Sequence, residues 1–372
     1  MSSLDSGVEL LESLVRIPSI SGEENAASAH LVAWMDQHGA SRAFVDDAGN
    51  AVGIWGRGPR QIVLLGHIDT VGGFPDVRRE GELLYGRGTV DAKGPLCAFA
   101  AAASMATVPE GWQVVVIGAV EEECPTSAGA HYAIGQYAPE LCVIGEPSRW
   151  DRLTLGYKGR LIADATLARS NAHSAGQSAT TAEAAFTVWR AVSDYANRLN
   201  DGHTRVFDQL DASLTRINTA DDGLTQSAAM TFGFRLPPTV DPQALEHDIR
   251  DLVTTSAPHG TTIQMRFTSH TPAFAAERDN VLSRLFRGAI RAEGGTPAFV
   301  MKTGTSDMNL AGPAWACPIL AYGPGDSALD HTPDEHIDLD EYRRSIRILT
   351  RVLNALPLEP ATQPSTETPH AL

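Results

Sequence analysis

Three short, unbroken apolar runs stand out between Gln61 and Ile144: Gln61–Leu65, Gln113–Val120 and Leu141–Ile144. They are continuous rather than alternating, which predicts strands buried on both faces of a parallel sheet. Between the first two, the alanine-rich stretch Leu96–Met105 predicts a helix. Strand and helix patterns in alternation predict an α/β domain. From about Lys158 to Thr268 the pattern changes. There Ile162–Ala168 and Met230–Leu236 read as strands, while Ala179–Leu199 and Pro242–Thr255 read as amphipathic helices. This mixture predicts an α+β insertion, residues 158–268, inside a larger domain made of 1–157 and 269–372. After it, Asn280–Glu293 reads as a helix and Ile319–Tyr322 as a returning strand. The segment Pro357–Leu372, rich in Pro, Thr and Ser, is expected to fray.

The residues just past each strand carry the chemistry. The first run leads into His67-Ile68-Asp69, the second into Glu121-Glu122-Glu123, the third into Gly145-Glu146. Ligands of open parallel sheets bind beyond the carboxyl ends of the strands, so these groups should gather at one edge. Each has an ordinary explanation taken alone: a loop hydrogen-bond pair, a solvated acidic face, a helix cap. Acids that converge three times over repel one another unless something compensates, and divalent cations do so directly. Two histidines with three acids form a mixed nitrogen and oxygen donor set that favours zinc, with cobalt or manganese as alternatives.

Composition narrows the partners. The chain carries 29 basic and 45 acidic side chains, a formal net charge of −16 that repels nucleic acid and anionic membranes. No apolar run approaches the roughly 20 residues of a membrane span. The start of the chain lacks the basic-then-apolar pattern of a signal peptide. Four scattered cysteines without a Cys-x-x-Cys pair suggest reduced thiols, and the cytoplasm is the expected compartment.

The motifs GHIDT at Gly66–Thr70, YGRGTVDAKGP at Tyr85–Pro95, EEE at Glu121–Glu123, GEPS at Gly145–Ser148 and DHTPDE at Asp330–Glu335 occur in this order. Together they resemble the M20 family of di-metal aminoacylases, deacetylases and dipeptidases, over essentially the whole chain. The resemblance implies a di-metal catalytic domain with a mostly parallel sheet, interrupted by a lid that also forms a homodimer. It implies that His67 and Glu146 hold one metal, Glu123 and His331 the other, and that Asp91 bridges them. Asp69 would orient His67, and Glu122 would be the general base. Within the insertion, Asn171-Ala172-His173-Ser174 resembles the lid motif whose histidine stabilises the oxyanion, usually in the dimer partner. Arg235 matches an arginine that grips the substrate carboxylate. His30, His38, His203 and His336 are expected to have no special role.

VDAKGPL (Val90–Leu96), GAVEEE (Gly118–Glu123), LGYKGR (Leu155–Arg160) and KTGTSDMN (Lys302–Asn309) are most similar to one M20 branch. Its members release lysine, or sometimes ornithine, from a small acidic amino-group carrier protein during amino-acid biosynthesis. A free acyl-amino acid is the alternative substrate, as in an N-acetylornithine or N-acetyllysine deacetylase or a succinyl-diaminopimelate desuccinylase; a dipeptidase or carboxypeptidase is a further one. An acidic carrier approaching an acidic enzyme calls for a local basic patch, for which Lys158, Arg160, Arg169 and Lys302 are candidates.

Overall fold

The computed structural model describes residues 3–171 and 179–358. The insertion's His173 and the tail beyond Leu358, where fraying is expected, lie outside the described residues. The elements up to the third apolar run are α1 (Ser3–Val15), α2 (Asn25–Gln37), β1 (Arg42–Val45), β2 (Ala51–Gly56), β3 (Arg60–His67), β4 (Arg78–Glu80), β5 (Leu83–Tyr85), α3 (Lys93–Met105), β6 (Trp112–Ala119), α4 (Ala128–Gln136) and β7 (Leu141–Gly145). Next come β8 (Arg152–Tyr157), β9 (Gly159–Ser170), α5 (Thr181–Leu199), β10 (Asp211–Asp221), β11 (Thr225–Leu236), α6 (Pro242–Ser256), β12 (Thr262–Thr271) and β13 (Phe274–Ala275). The chain closes with α7 (Val281–Ala292), β14 (Ala298–Lys302), α8 (Met308–Trp315), β15 (Ile319–Ala321), β16 (His336–Asp338) and α9 (Leu339–Asn354). No helix among the described residues is long and apolar enough to cross a membrane.

The chain divides into two compact units. Unit 1 takes in the described residues of Met1–Thr154, Glu277–Phe299 and Trp315–Leu372; unit 2 takes in Leu155–Ala276 and Val300–Ala314. The sheet of unit 1 runs β1-β2-β6-β3-β7-β15 and reaches β8 at the Ala321–Thr154 pair. Its central strands β6, β3, β7 and β15 are parallel, and the flanking β1 and β2 are antiparallel. The expected α/β architecture with a mostly parallel sheet is what the structure contains. Ile62, Val63, Leu64 and Leu65 of β3 are all buried, as are Val114–Ile117 of β6 and Leu141–Ile144 of β7. Continuous apolar runs are the sequence form of strands covered on both faces. Alanines of α3 lie buried, and α1 and α9 pack against that helix. A smaller antiparallel sheet, β16-β5-β4, joins the segment after His331 to the loop before Asp91.

Unit 2 is a four-stranded antiparallel sheet, β10-β11-β9-β12. One face packs under α5 and α6 through Leu161, Ala163, Ala165, Phe232, Phe234 and Leu236. A capping box at Thr180 and Glu183 starts α5, and the Asp241 side chain with Pro242 starts α6. Neither β10 nor β12 is among the strands expected from the sequence. Most of β10 is exposed, so its sequence carries no buried stripe.

Candidate metal centre

Three parallel strands bring His67, the acidic turn after β6 and Glu146 to one edge. Gly66 of β3 stands opposite Gly118 of β6 and Gly145 of β7. The residues just beyond, His67, the Val120–Glu123 turn and Glu146, therefore leave neighbouring strands at matched height. His67 and Asp69 are buried, and Glu146 nearly so.

Asp91 ends the Tyr85–Val90 loop just before α3. Its Oδ1 lies 3.1 Å from His67 Nε2 and its Oδ2 lies 3.0 Å from His331 Nε2. One carboxylate is thus shared by two imidazoles approaching from different segments. His331 Nε2 also lies 2.9 Å from Glu123 Oε1. The donor atoms of His67, Asp91 and Glu123 fall within 4.8 Å of one another. Glu122 Oε2 is 4.0 Å from His67 Nε2. Glu146 stands at the same sheet edge but is not among the three residues of that tight group.

Asp69 works as a local anchor. Its Oδ1 lies 3.3 Å from His67 Nδ1 and accepts the backbone N–H of Glu122, while its Oδ2 accepts from Glu123 N–H and from the Ser21 hydroxyl. The rest of the acidic turn is held the same way. Val120 N–H donates to Asn50 Oδ1 and Glu121 N–H donates to Glu24 Oε1. Gly129 makes room for this: a Cβ there would sit 2.3 Å from Asn50 Oδ1 and 2.4 Å from Val120 N. Four successive amides of the Val120–Glu123 turn end on side-chain oxygens. That support holds Glu121 at φ 61°, a left-handed backbone that a side chain disfavours. His331 sits at the same φ of 61°.

Glu335 anchors the Asp91 loop. It is fully buried; its Oε1 accepts from the amides of Gly88, Val90 and Asp91, and its Oε2 pairs with buried Arg87. Burial nevertheless pushes the Glu335 carboxyl up from its usual range, against these stabilising contacts. The sequence gives no separate sign of the parts played by Glu335, Glu24 and Ser21. A buried acid in a loop looks like a solvated one until its amide partners are placed.

The electrostatics favour added positive charge. Burial alone would depress the His67 imidazole, but hydrogen bonds with Asp69 and Asp91 and the charge of Glu122 raise it well above the usual value. Hydrogen bonds donated to the carboxylates of Asp91 and Glu123 push His331 up to about 10. Burial works against the charge of Asp91, yet the two imidazoles hold its carboxyl far below the usual range. Among the described residues, neither Asp91 nor Glu123 has a Lys or Arg partner; imidazoles are their counter-charges. Converging imidazole nitrogens and carboxylate oxygens, without fixed cations, suit divalent metal ions.

Arg235 belongs to unit 2, half-buried on β11, where its Nη1 donates to Thr305 Oγ1 at 3.3 Å. Of the basic-patch candidates, Lys158 is fully buried and its Nζ donates to Gln209 O and Asp211 Oδ2, both at 2.6 Å. Arg169 is bonded to the carbonyls of Pro258 and His259 and to the Thr261 hydroxyl. These two cations serve the fold of unit 2 and do not supply an open docking charge. His30 bonds Ser13, and His38 stacks on Trp34, in keeping with structural roles.

Comparison with known proteins gives three kinds of match. The family described as peptidase family M20/M25/M40 matches residues 63–355. A LysW-lysine hydrolase of Deinococcus radiodurans is 47% identical over 355 residues, covering 94% of this chain and 96% of the relative. A protein of Thermococcus kodakarensis named putative LysW-lysine/LysW-ornithine hydrolase is 36% identical over 358 residues, covering 96% and 94%. Among solved structures, a dinuclear metal-binding M20 peptidase of Bacillus subtilis aligns with a TM-score of 0.69 at 12% identity, covering 95% of this chain and 98% of that one.

Proposed function

Since the chain belongs to peptidase family M20/M25/M40, we propose that it is a two-metal amide hydrolase that releases lysine, or ornithine, from a small amino-group carrier protein. The observation that carries the chemistry is the Asp91 carboxylate, shared between His67 and His331. The substrate rests on relatives named LysW-lysine hydrolase and LysW-lysine/LysW-ornithine hydrolase, which match nearly their whole length.

In this reading His67 and Glu146 would hold one cation and Glu123 and His331 the other, with Asp91 as the carboxylate that would serve both. When bound, such a pair acidifies a water and polarises the scissile carbonyl; zinc suits the mixed donors best, with cobalt or manganese able to replace it. Asp69 keeps the His67 ring in one tautomer and holds the amides of Glu122 and Glu123 in place. Glu122 takes a proton from the attacking water and passes it to the nitrogen of the departing amino acid. His173 supplies a hydrogen bond to the oxyanion that develops on the carbonyl. Arg235 binds the carboxylate of the departing amino acid. Residues 158–268 act as a lid and as the homodimer contact, for which the exposed edge strand β10 and exposed Phe186 and Ile217 offer surface. The enzyme works in the cytoplasm, where an amino-acid carrier would be found.

The test is Glu122→Gln with metal analysis. The expected result is loss of turnover by at least about 100-fold with metal content close to the parent, consistent with the general-base contribution. A variant that turns over at the parent rate contradicts the assignment.

A further inference from the structure

One row of directly opposed residues crosses the sheet of unit 2: Asp211 on β10, Arg235 on β11, Arg160 on β9 and Thr271 on β12. Side chains opposed in this way stand on the same face. Their neighbours Leu161, Phe234 and Leu236 are buried under α5 and α6, so the row lies on the opposite face of the sheet. Arg160 and Arg235 are both half-buried there.

Two like charges directly opposed on a sheet destabilise it, so the pairing needs a reason. The protein supplies little counter-charge. Arg160 makes no side-chain hydrogen bond or ion pair among the described residues, and Arg235 has only the Thr305 hydroxyl. The flanking carboxylate of Asp211 has its Oδ2 committed to buried Lys158. One carboxylate, Asp211, thus stands beside Lys158 and two guanidiniums. Burial and the neighbouring Arg160 charge pull Arg235 below its ordinary pKa, and the charge of Asp211 offsets them only in part.

We propose that Arg160 joins Arg235 and Thr305 in one carboxylate subsite, which binds the free α-carboxylate of the amino acid that the reaction releases. This rests on the amide-hydrolase reading and adds a second guanidinium to it. Two planar forks present more donors than one carboxylate can ignore, and they discriminate strongly against a substrate lacking that group. The subsite makes the enzyme select N-acyl amino acids over N-acyl amines of the same side-chain length.

The experiment compares binding of L-lysine and cadaverine, its decarboxylated counterpart, by calorimetry in the metal-loaded parent, Arg160→Ala and Arg160→Lys. Unchanged metal content and melting behaviour serve as the folding control. The parent is expected to bind L-lysine more tightly than cadaverine, and Arg160→Ala to weaken L-lysine by about 10- to 100-fold without weakening cadaverine, as for a lost charged hydrogen bond. Arg160→Lys should fall between, because it keeps the charge without the fork. Equal losses for both ligands, no loss in Arg160→Ala, or a parent that does not prefer L-lysine overturns the subsite. Carrier hydrolysis is measured alongside. Turnover of the conjugate with an Arg160-independent L-lysine affinity sinks the subsite alone, whereas an Arg160-dependent affinity without any turnover sinks the hydrolase reading alone.

Discussion

Asp91 is the residue on which the centre turns, because its two oxygens face two different imidazoles. Asp91→Asn keeps the shape and removes the charge. It is expected to bind less than two metals per subunit and to lose at least about 100-fold in rate, the upper end of what weaker changes around metal ligands cost. Elemental analysis with rate measurements checks this, and a fully loaded, fully active variant contradicts it. The raised imidazoles give a second prediction at this scale. His67 is raised above its usual pKa and His331 lies at about 10, so at pH 7 His331 carries a proton in metal-free protein. In that form the His331 contribution to stability is fully present below its unfolded value of about 6.5 and is lost as pH rises through 10. Metal ligation needs a neutral imidazole, so loading at pH 7 should release about one proton from His331. Calorimetry in buffers of different ionisation enthalpy measures the number, and zero release argues against His331 as a ligand.

At the scale of elements, the site is held by segments that meet only in the fold. The β16–β5 pairing and buried Glu335 tie the stretch after His331 to the loop that carries Asp91. Glu335→Gln would leave Arg87 buried without its counter-charge, a change that costs about 3–5 kcal/mol when a buried pair is broken. Chemical denaturation should show a loss of that order, together with weaker metal binding; a neutral result would mean that the clamp is not stabilising. The strands β3, β6 and β7 were legible because burial on both faces leaves an unbroken apolar run, and each ran into its polar residue at once. The long β10 was not legible, since exposed residues carry no stripe. β12 does alternate, with Ile263, Met265 and Phe267 more covered than their neighbours, and that signal was available. The anchors Glu24, Asn50 and Glu335 were hidden for another reason. Their partners are backbone amides up to 247 residues away, and no local pattern marks such a pairing.

For the whole molecule, two divalent cations would offset the acidic cluster of the centre but only a small part of the net charge of −16. The residues proposed as metal ligands all belong to unit 1. Cations that bind only the native state stabilise it by mass action, about 2.7 kcal/mol when present at 100 times the dissociation constant. Chelation should therefore lower the unfolding temperature of unit 1 in scanning calorimetry, and added zinc should restore it. A thermogram indifferent to chelator would contradict a structural share for the metals.

As a whole, the molecule is proposed to cut the amide joining an amino acid to a carrier protein. The most direct test is the rate of the zinc- or cobalt-loaded enzyme on carrier-linked lysine, N-acetyllysine and N-acetylornithine at equal concentration. A strong preference for the carrier conjugate is expected, with free lysine as product. Faster hydrolysis of either free acetyl-amino acid would contradict it.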